Sequence, residues 1–223
     1  NTAAGGESAN DVIGFQQVDE MIHTPINTNV KNVWDWMFAG VNRASYILQN
    51  KDKTDFPNRP QVIAEARFLK AYYQFELVKW FGGIPIKEDA MFVLGDEKTI
   101  PRSTVKEAYA SIENELVLAI ADLNPIAAQK GRVTKGAAQA LLGKVYLFDE
   151  KFDLAAQTLE NLITVTGGYS LVQNYDTLFE EAQENGSESV FEIQYTDIQG
   201  ASFDCLQCST GNVAVGFNGP RNY

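Results

Sequence analysis

Ala64-Glu65-Ala66-Arg67-Phe68-Leu69-Lys70-Ala71-Tyr72-Tyr73-Gln74-Phe75-Glu76-Leu77-Val78-Lys79-Trp80-Phe81-Gly82-Gly83-Ile84-Pro85 is the stretch that decides the fold. Val62, Ala66, Leu69, Tyr73, Leu77 and Trp80 recur every three or four residues, and Phe68, Ala71, Phe75 and Val78 form a second apolar stripe beside the first. The segment therefore reads as a helix over 62–80 that is apolar around most of its circumference. Such a helix needs cover on more than one side, which predicts packed helices before and after it. Gly82-Gly83 ends it, and Pro85 blocks its resumption.

Upstream, Asn29 and Asn32 are both N-cap candidates for a helix running to about Leu48, with Trp34, Met37, Phe38, Val41, Ala44 and Leu48 on one face. Residues 1–29 are rich in Gly, Asn, Asp and Thr, so they read as loop with at most one short helix. The stretch from Asn50 to Pro60 is a polar connection. Downstream, Met91 to Pro101 is an irregular crossover, and Thr104-Val105-Lys106-Glu107 reads as a capping box. Tyr109, Ile112, Leu116, Ala119 or Ile120, and Leu123 then make one helical stripe, which Pro125 stops. Thr134 is the expected cap of a helix through Phe148.

Leu142-Gly143-Lys144-Val145-Tyr146, with Ala155 nine residues after the tyrosine, fits the tetratricopeptide spacing. Gly143 has a physical use there, since a residue without a side chain lets the neighbouring helix come close. The first long helix fits less well, because Lys70 stands in the glycine place between Leu69 and Tyr73. Beyond Ile163 the helical rhythm ends at Gly167-Gly168. Residues 189–195, with Phe191, Ile193 and Tyr195 alternating, read as a short strand after a turn at Asn185-Gly186.

Composition excludes several function classes. The 18 basic against 29 acidic residues give a net charge of −11, and no dense Lys/Arg cluster stands out, so a nucleic-acid partner is not expected. No apolar run approaches bilayer-spanning length, and the first residues show neither a charged nor an apolar leader region. Cys205 and Cys208 form one Cys-x-x-Cys in loop-like sequence, and a zinc site would need two more ligands with only His23 in the chain, far away. A local disulfide and two inert thiols are the readings left open; His23 reads as a loop residue. Glycosidase chemistry needs two carboxylates opposed across a cleft. Glu65, Glu76, Glu107, Glu113, Glu115, Asp149, Glu150, Glu180, Glu181 and Glu184 carry no motif and read as solvated helix faces and ends. No catalytic residue, metal site or cofactor is therefore expected.

Five of these motifs, in order, also carry a resemblance. Trp34 to Ala44, Glu65-Ala66-Arg67-Phe68-Leu69-Lys70-Ala71-Tyr72-Tyr73, Trp80-Phe81-Gly82-Gly83-Ile84-Pro85, Gly131-Arg132-Val133-Thr134 and Glu188 to Tyr195 together resemble the SusD/RagB family. One departure is Ser45, where that family usually has Asn after the alanine, which weakens the expectation of a side-chain hydrogen bond at that point. The resemblance implies a mainly α, tetratricopeptide-like fold of stacked helical hairpins with an irregular, loop-rich part containing a short strand. It also implies that residues 1–223 are one incomplete domain, an internal portion of a longer chain: a helical scaffold over 30–166, with loop-rich parts at 1–29 and 167–223.

The function implied is that of a non-catalytic cell-surface lipoprotein of the outer membrane, which captures glycans for a partner SusC-like TonB-dependent transporter. Membrane attachment is then expected only through a lipid anchor outside this segment. Peptide ligands in the same role, or an intracellular tetratricopeptide adaptor for a protein partner, are the alternatives. Glycan binding asks for exposed aromatic faces ringed by polar groups. Trp34 and Trp80 fall on packing stripes, whereas Trp36 lies roughly opposite Trp34 and is the tryptophan expected to be exposed or at a subunit contact. Phe15, Asn10 and Asp11 in the preceding loop follow by analogy with the family.

Overall fold

The computed structural model describes residues 13–194; Asn10, Asp11, Tyr195, Cys205 and Cys208 lie outside them. Six α-helices occur among the described residues: α1 (Ile13–Asp19), α2 (Thr28–Gln49), α3 (Arg59–Phe81), α4 (Val105–Asp122), α5 (Lys135–Phe148) and α6 (Phe152–Asn161). One π-helical turn, Leu162–Thr166, prolongs α6. The described residues group into two compact units, 13–36 with Gln194 and 37–193, and α2 runs from the first into the second.

Within the larger unit, α3 to α6 follow one another as an antiparallel stack. Phe75 of α3 packs at 6.4 Å from the ring of Tyr109 on α4 and at 5.3 Å, edge to face, from Phe148 on α5. The buried stripe of α3 is Phe68, Ala71, Phe75 and Val78, and that of α4 is Tyr109, Ile112, Leu116 and Ala119 with Leu123 just beyond, Ala119 and not Ile120 taking the position left open between them. Each fully buried Ile or Leu, such as Ile112 and Leu116, contributes roughly 1.5–3 kcal/mol. A Cβ on Gly40 of α2 would run into the ring of Tyr73, so α2 lies directly on α3 there. Gly143 meets the expectation drawn from its spacing: a Cβ there would sit 2.6 Å from Leu159 Cγ on α6.

Local chemistry sets the boundaries. The Thr104 hydroxyl accepts from the Glu107 N–H at 3.2 Å while the Glu107 carboxylate accepts from the Thr104 N–H at 2.8 Å, completing the capping box of α4. Thr134 caps α5 by accepting from the Ala137 N–H at 3.1 Å. At the end of α3, Gly82 has φ +71°, and a Cβ on Gly83 would collide with the Ser103 carbonyl. The Gly-Gly pair thus lets the chain leave α3 and lie against the segment that leads into α4, where Pro85 and Arg102 form an isolated antiparallel bridge.

Four expectations are corrected. Residues 189–194 form no strand, and none occurs among the described residues. The Ser189 N–H donates to the Gly186 carbonyl at 3.2 Å, so the chain makes a local turn where the strand was expected to begin, and the Glu192 side chain accepts from the Asn185 N–H at 2.9 Å. Trp80 is 48% exposed rather than packed, because the neighbours of α3 cover the Phe68–Phe75 side and leave Trp80 and Leu69 on the open side. The cap of α2 is Asn27, not Asn29 or Asn32: its Oδ1 accepts from the N–H groups of Asn29 at 3.0 Å and Val30 at 3.1 Å. Glu115, read as a solvated acid, is buried. Ser45 is fully buried, and its hydroxyl has no hydrogen-bond partner.

Candidate functional site

Asn27 organises the first unit. Besides capping α2 it donates from Nδ2 to the Gly14 carbonyl at 3.0 Å and to Gln17 Oε1 at 3.1 Å, which ties α1 to the start of α2. This amide is nearly fully buried and uses both its donor and acceptor groups, so the two elements carrying Phe15 and Trp36 are held by one side chain. Phe15 on α1 is 52% exposed. Trp36, two turns into α2, is half-buried, with its indole N–H shielded from solvent and without an acceptor. No hydrogen bond or ring contact joins Phe15 to Trp36 among the described residues. An orphaned indole donor costs on the order of 1–3 kcal/mol, so Trp36 holds a hydrogen-bonding capacity that its own surroundings leave unused.

In the second unit, charge is concentrated beneath the crossover between α3 and α4. Lys70 Nζ donates to Glu115 Oε1 at 2.6 Å, and the two side chains are 1% and 3% exposed. Arg67 donates to the other Glu115 oxygen at 2.5 Å and, from the same guanidinium, to Asp89 at 3.2–3.3 Å. Lys51 reaches Asp89 at 2.5 Å from the far side. Partial burial alone would raise the Asp89 pKa, but the hydrogen bond from Lys51 and the Arg67 charge outweigh it and hold the carboxyl below its ordinary value. The chain of charges thereby locks the start of the crossover to the core. Asn42, accepting from the Phe92 N–H at 2.8 Å, and Phe38, edge-on to Phe92 at 5.5 Å, fix its middle. No residue motif announced this network; the only signal was a lysine set in an apolar helix.

A second cluster lies at the turn from α5 to α6. Lys151 bridges both Glu113 oxygens at 2.7 Å and Asp149 at 2.9 Å. Burial pushes the Glu113 carboxyl above its ordinary range, the neighbouring Asp149 adds to this, and Lys151 only partly opposes them. An open groove of ≈ 560 Å³ runs between the crossover and α4, past Glu88, Arg102, Ser111 and Asn114. Arg102 is committed there to the Gly83 and Phe81 carbonyls. Among the described residues no group of three or more His, Cys, Asp and Glu is placed to hold a metal, and no helix is long and apolar enough to cross a membrane.

Residues 4–147 match the SusD-like family model described as "Starch-binding associating with outer membrane". The chain belongs to the SusD-like family. A SusD-like protein of Bacteroides ovatus is 26% identical over 90% of this chain and 40% of its own length. A solved "Laminarin binding SusD-like protein" superposes with a TM-score of 0.80 at 29% identity, over 90% of this SusD-like chain and 45% of that one. A SusD-like protein from Bacteroides fragilis NCTC 9343 gives a TM-score of 0.72 at 26% identity, over 79% of this chain and 36% of that one. The SusD-like chain thus spans about two-fifths of the length of these relatives.

Proposed function

We propose that this chain is part of a non-catalytic cell-surface lipoprotein of the outer membrane that captures glycans and delivers them to a SusC-like TonB-dependent transporter. The observation that carries the reading is the backbone match over 90% of the chain to a protein described as laminarin binding, at 29% identity. The family description, starch binding with outer-membrane association, points the same way. Capture of this kind needs no bond to be made or broken; it needs a rigid frame and a preformed site. The stacked helices and the charge-locked crossover provide such a frame. Within this reading Trp36, Phe15, Asn10 and Asp11 are the residues proposed to face the glycan, with the lipid anchor lying outside the segment.

The test is a pull-down of the native protein from detergent-solubilised outer membranes, with mass identification of what accompanies it. The expected result is a large TonB-dependent barrel in the same fraction, followed by binding to laminarin or starch oligosaccharides in a glycan and peptide screen. Binding to peptides alone would move the ligand class and keep the partner. A protein that fractionates with the cytosol and brings no barrel overturns the reading.

A further inference from the structure

The crossover that joins α3 to α4 carries an apolar tip. Leu94 is 99% exposed, and Val93 beside it is 58% exposed. Loop tips are ordinarily mobile, but this one is pinned from both sides. The Asp96 carboxylate accepts from the Val93 N–H at 2.8 Å and from Lys87 at 2.7 Å, and the Gly95 N–H donates to Glu97 at 2.8 Å. Upstream, Phe92 is held by Asn42 and Phe38 of α2. Leu94 therefore stands out from a backbone that has already lost its freedom, and burying it against a partner costs little further ordering.

The same loop closes onto the groove beside α4. The Ile100 N–H donates to the Asp96 carbonyl at 2.8 Å, which ties the tip to the groove wall at Ile100. Ile86, Ile100 and Pro101 belong to the apolar part of the lining, and Glu88, Glu107 and Asn114 to the polar part. Glu88 is exposed, and its carboxylate has no partner among the described residues. The Thr104 N–H and hydroxyl bonded to Glu107 hold its carboxyl below the ordinary range, so it stays ionised. Arg102 donates to the Gly83 and Phe81 carbonyls and pairs with neither acid among the described residues. Two carboxylates against one guanidinium leave the groove acidic. No aromatic side chain lines it, so a sugar ring finds no stacking face there.

We infer that the crossover is a docking surface for a protein partner, one that offers an apolar pocket to Leu94 and a lysine or arginine to the groove at Glu88 and Glu107. Charge complementarity chooses this occupant: an acidic groove with an apolar lining matches a polypeptide segment in which a basic side chain stands beside an apolar one. A lipid surface is the poorer match, because its anionic headgroups would meet the same two acids. The inference goes beyond the glycan-capture reading, which needs a partner but assigns no residue to it.

The experiment places the photo-crosslinker p-benzoylphenylalanine at Leu94 of the full-length protein in its native cells, with Ile126, 82% exposed on the loop after α4, as the control position. Cross-linked peptides are sequenced by mass spectrometry. The expected result is one partner polypeptide joined at Leu94 and not at Ile126, within a segment that carries a lysine or arginine. Glu88→Lys in the same chain should lower the yield several-fold, and replacing that partner cation with glutamate should restore it. Circular dichroism checks that Glu88→Lys folds as the wild type does. Equal yields at Leu94 and Ile126, or adducts only with lipid or with a second copy of this chain, overturn the docking surface. A yield that Glu88→Lys leaves unchanged overturns the charge assignment. A barrel that co-purifies while Leu94 joins nothing overturns the docking surface and leaves glycan capture standing. A Leu94 adduct of the expected chemistry in cells that yield no barrel does the reverse.

Discussion

Lys70 on α3 and Gly143 on α5 occupy the same place in their helices, one residue after a leucine and three before a tyrosine, yet the two helices solve the problem of a close neighbour in opposite ways. On α5 the side chain is absent, and Leu159 of α6 fills the space down to 2.6 Å from where a Cβ would be. On α3 a long cationic side chain is buried instead and meets Glu115 of α4 at 2.6 Å, with Arg67 on the second carboxylate oxygen. The glycine solution fixes the helix separation by steric contact alone. The lysine solution fixes it by a charge pair that also reaches outward, through Arg67 and Asp89, to the crossover. A contact between two helices can therefore be a spacer only, or a spacer that also positions a loop.

Breaking the ionic contact has the largest expected effect. Glu115→Ala leaves the buried Lys70 charge without its partner and should cost about 3–5 kcal/mol in urea unfolding, whereas Lys70→Ala leaves Glu115 its bond from Arg67 and should cost less. Replacing both, as in Lys70→Met with Glu115→Leu, should recover most of that loss while releasing Arg67 toward Asp89, so stability and crossover order would separate. If the double variant were as unstable as the singles, the charge pair would be more than a spacer in energetic terms as well. The steric contact is the weaker of the two: Gly143→Val should cost roughly 1–3 kcal/mol by overpacking, and Leu159→Ala in the same chain should return part of it in a double-mutant cycle.

Smaller still, Thr104→Ala removes the capping box of α4 and should lower stability by about 1 kcal/mol without altering either contact. The pH dependence sharpens the loop-positioning half of the comparison. Because the Asp89 carboxyl is held below its unfolded value of about 4, its contribution is present above that pH and is lost as the pH falls through the folded-state value. Thermal melts taken downward from pH 6 should show the wild type losing stability in that window, with a flatter acid limb in Asp89→Asn. Equal acid limbs would detach Asp89 from the network.

The two contacts differ in how far they could be read beforehand. Gly143 was legible because the tetratricopeptide spacing places its tyrosine and Ala155 in the same local stretch. Glu115 was not, since its partner lies 45 residues away and a lone acid on a helix looks the same whether solvated or paired. Thr104 and Glu107 could be recognised together because both halves of a capping box are adjacent, whereas Asn27, Asn29 and Asn32 are chemically alike and only the backbone turn chooses among them. Alternation at Phe191 and Ile193 pointed to a strand that does not form, because alternation names residues and not a partner edge, and a local turn takes the Ser189 N–H at its start.

Candidate ligand residues follow the same rule. Trp36 was nameable from residue type and helical phase, and Phe15 only by analogy with the family. The acidic groove joins Ile86, Glu88 and Ile100 of the crossover to Glu107 and Asn114 of α4, brought together by packing and not by spacing.

Lys70 has one more consequence. Its side chain is 1% exposed, so a lysine-acetylating reagent can reach its amine only when α3 and α4 separate. Under gentle labelling the surface amines saturate within the first exposure, and the mass tag on Lys70 then accumulates at a pace set by how often the stack opens. The same residue that spaces the helices thus serves as an internal clock for their breathing, readable by peptide mapping in the intact protein.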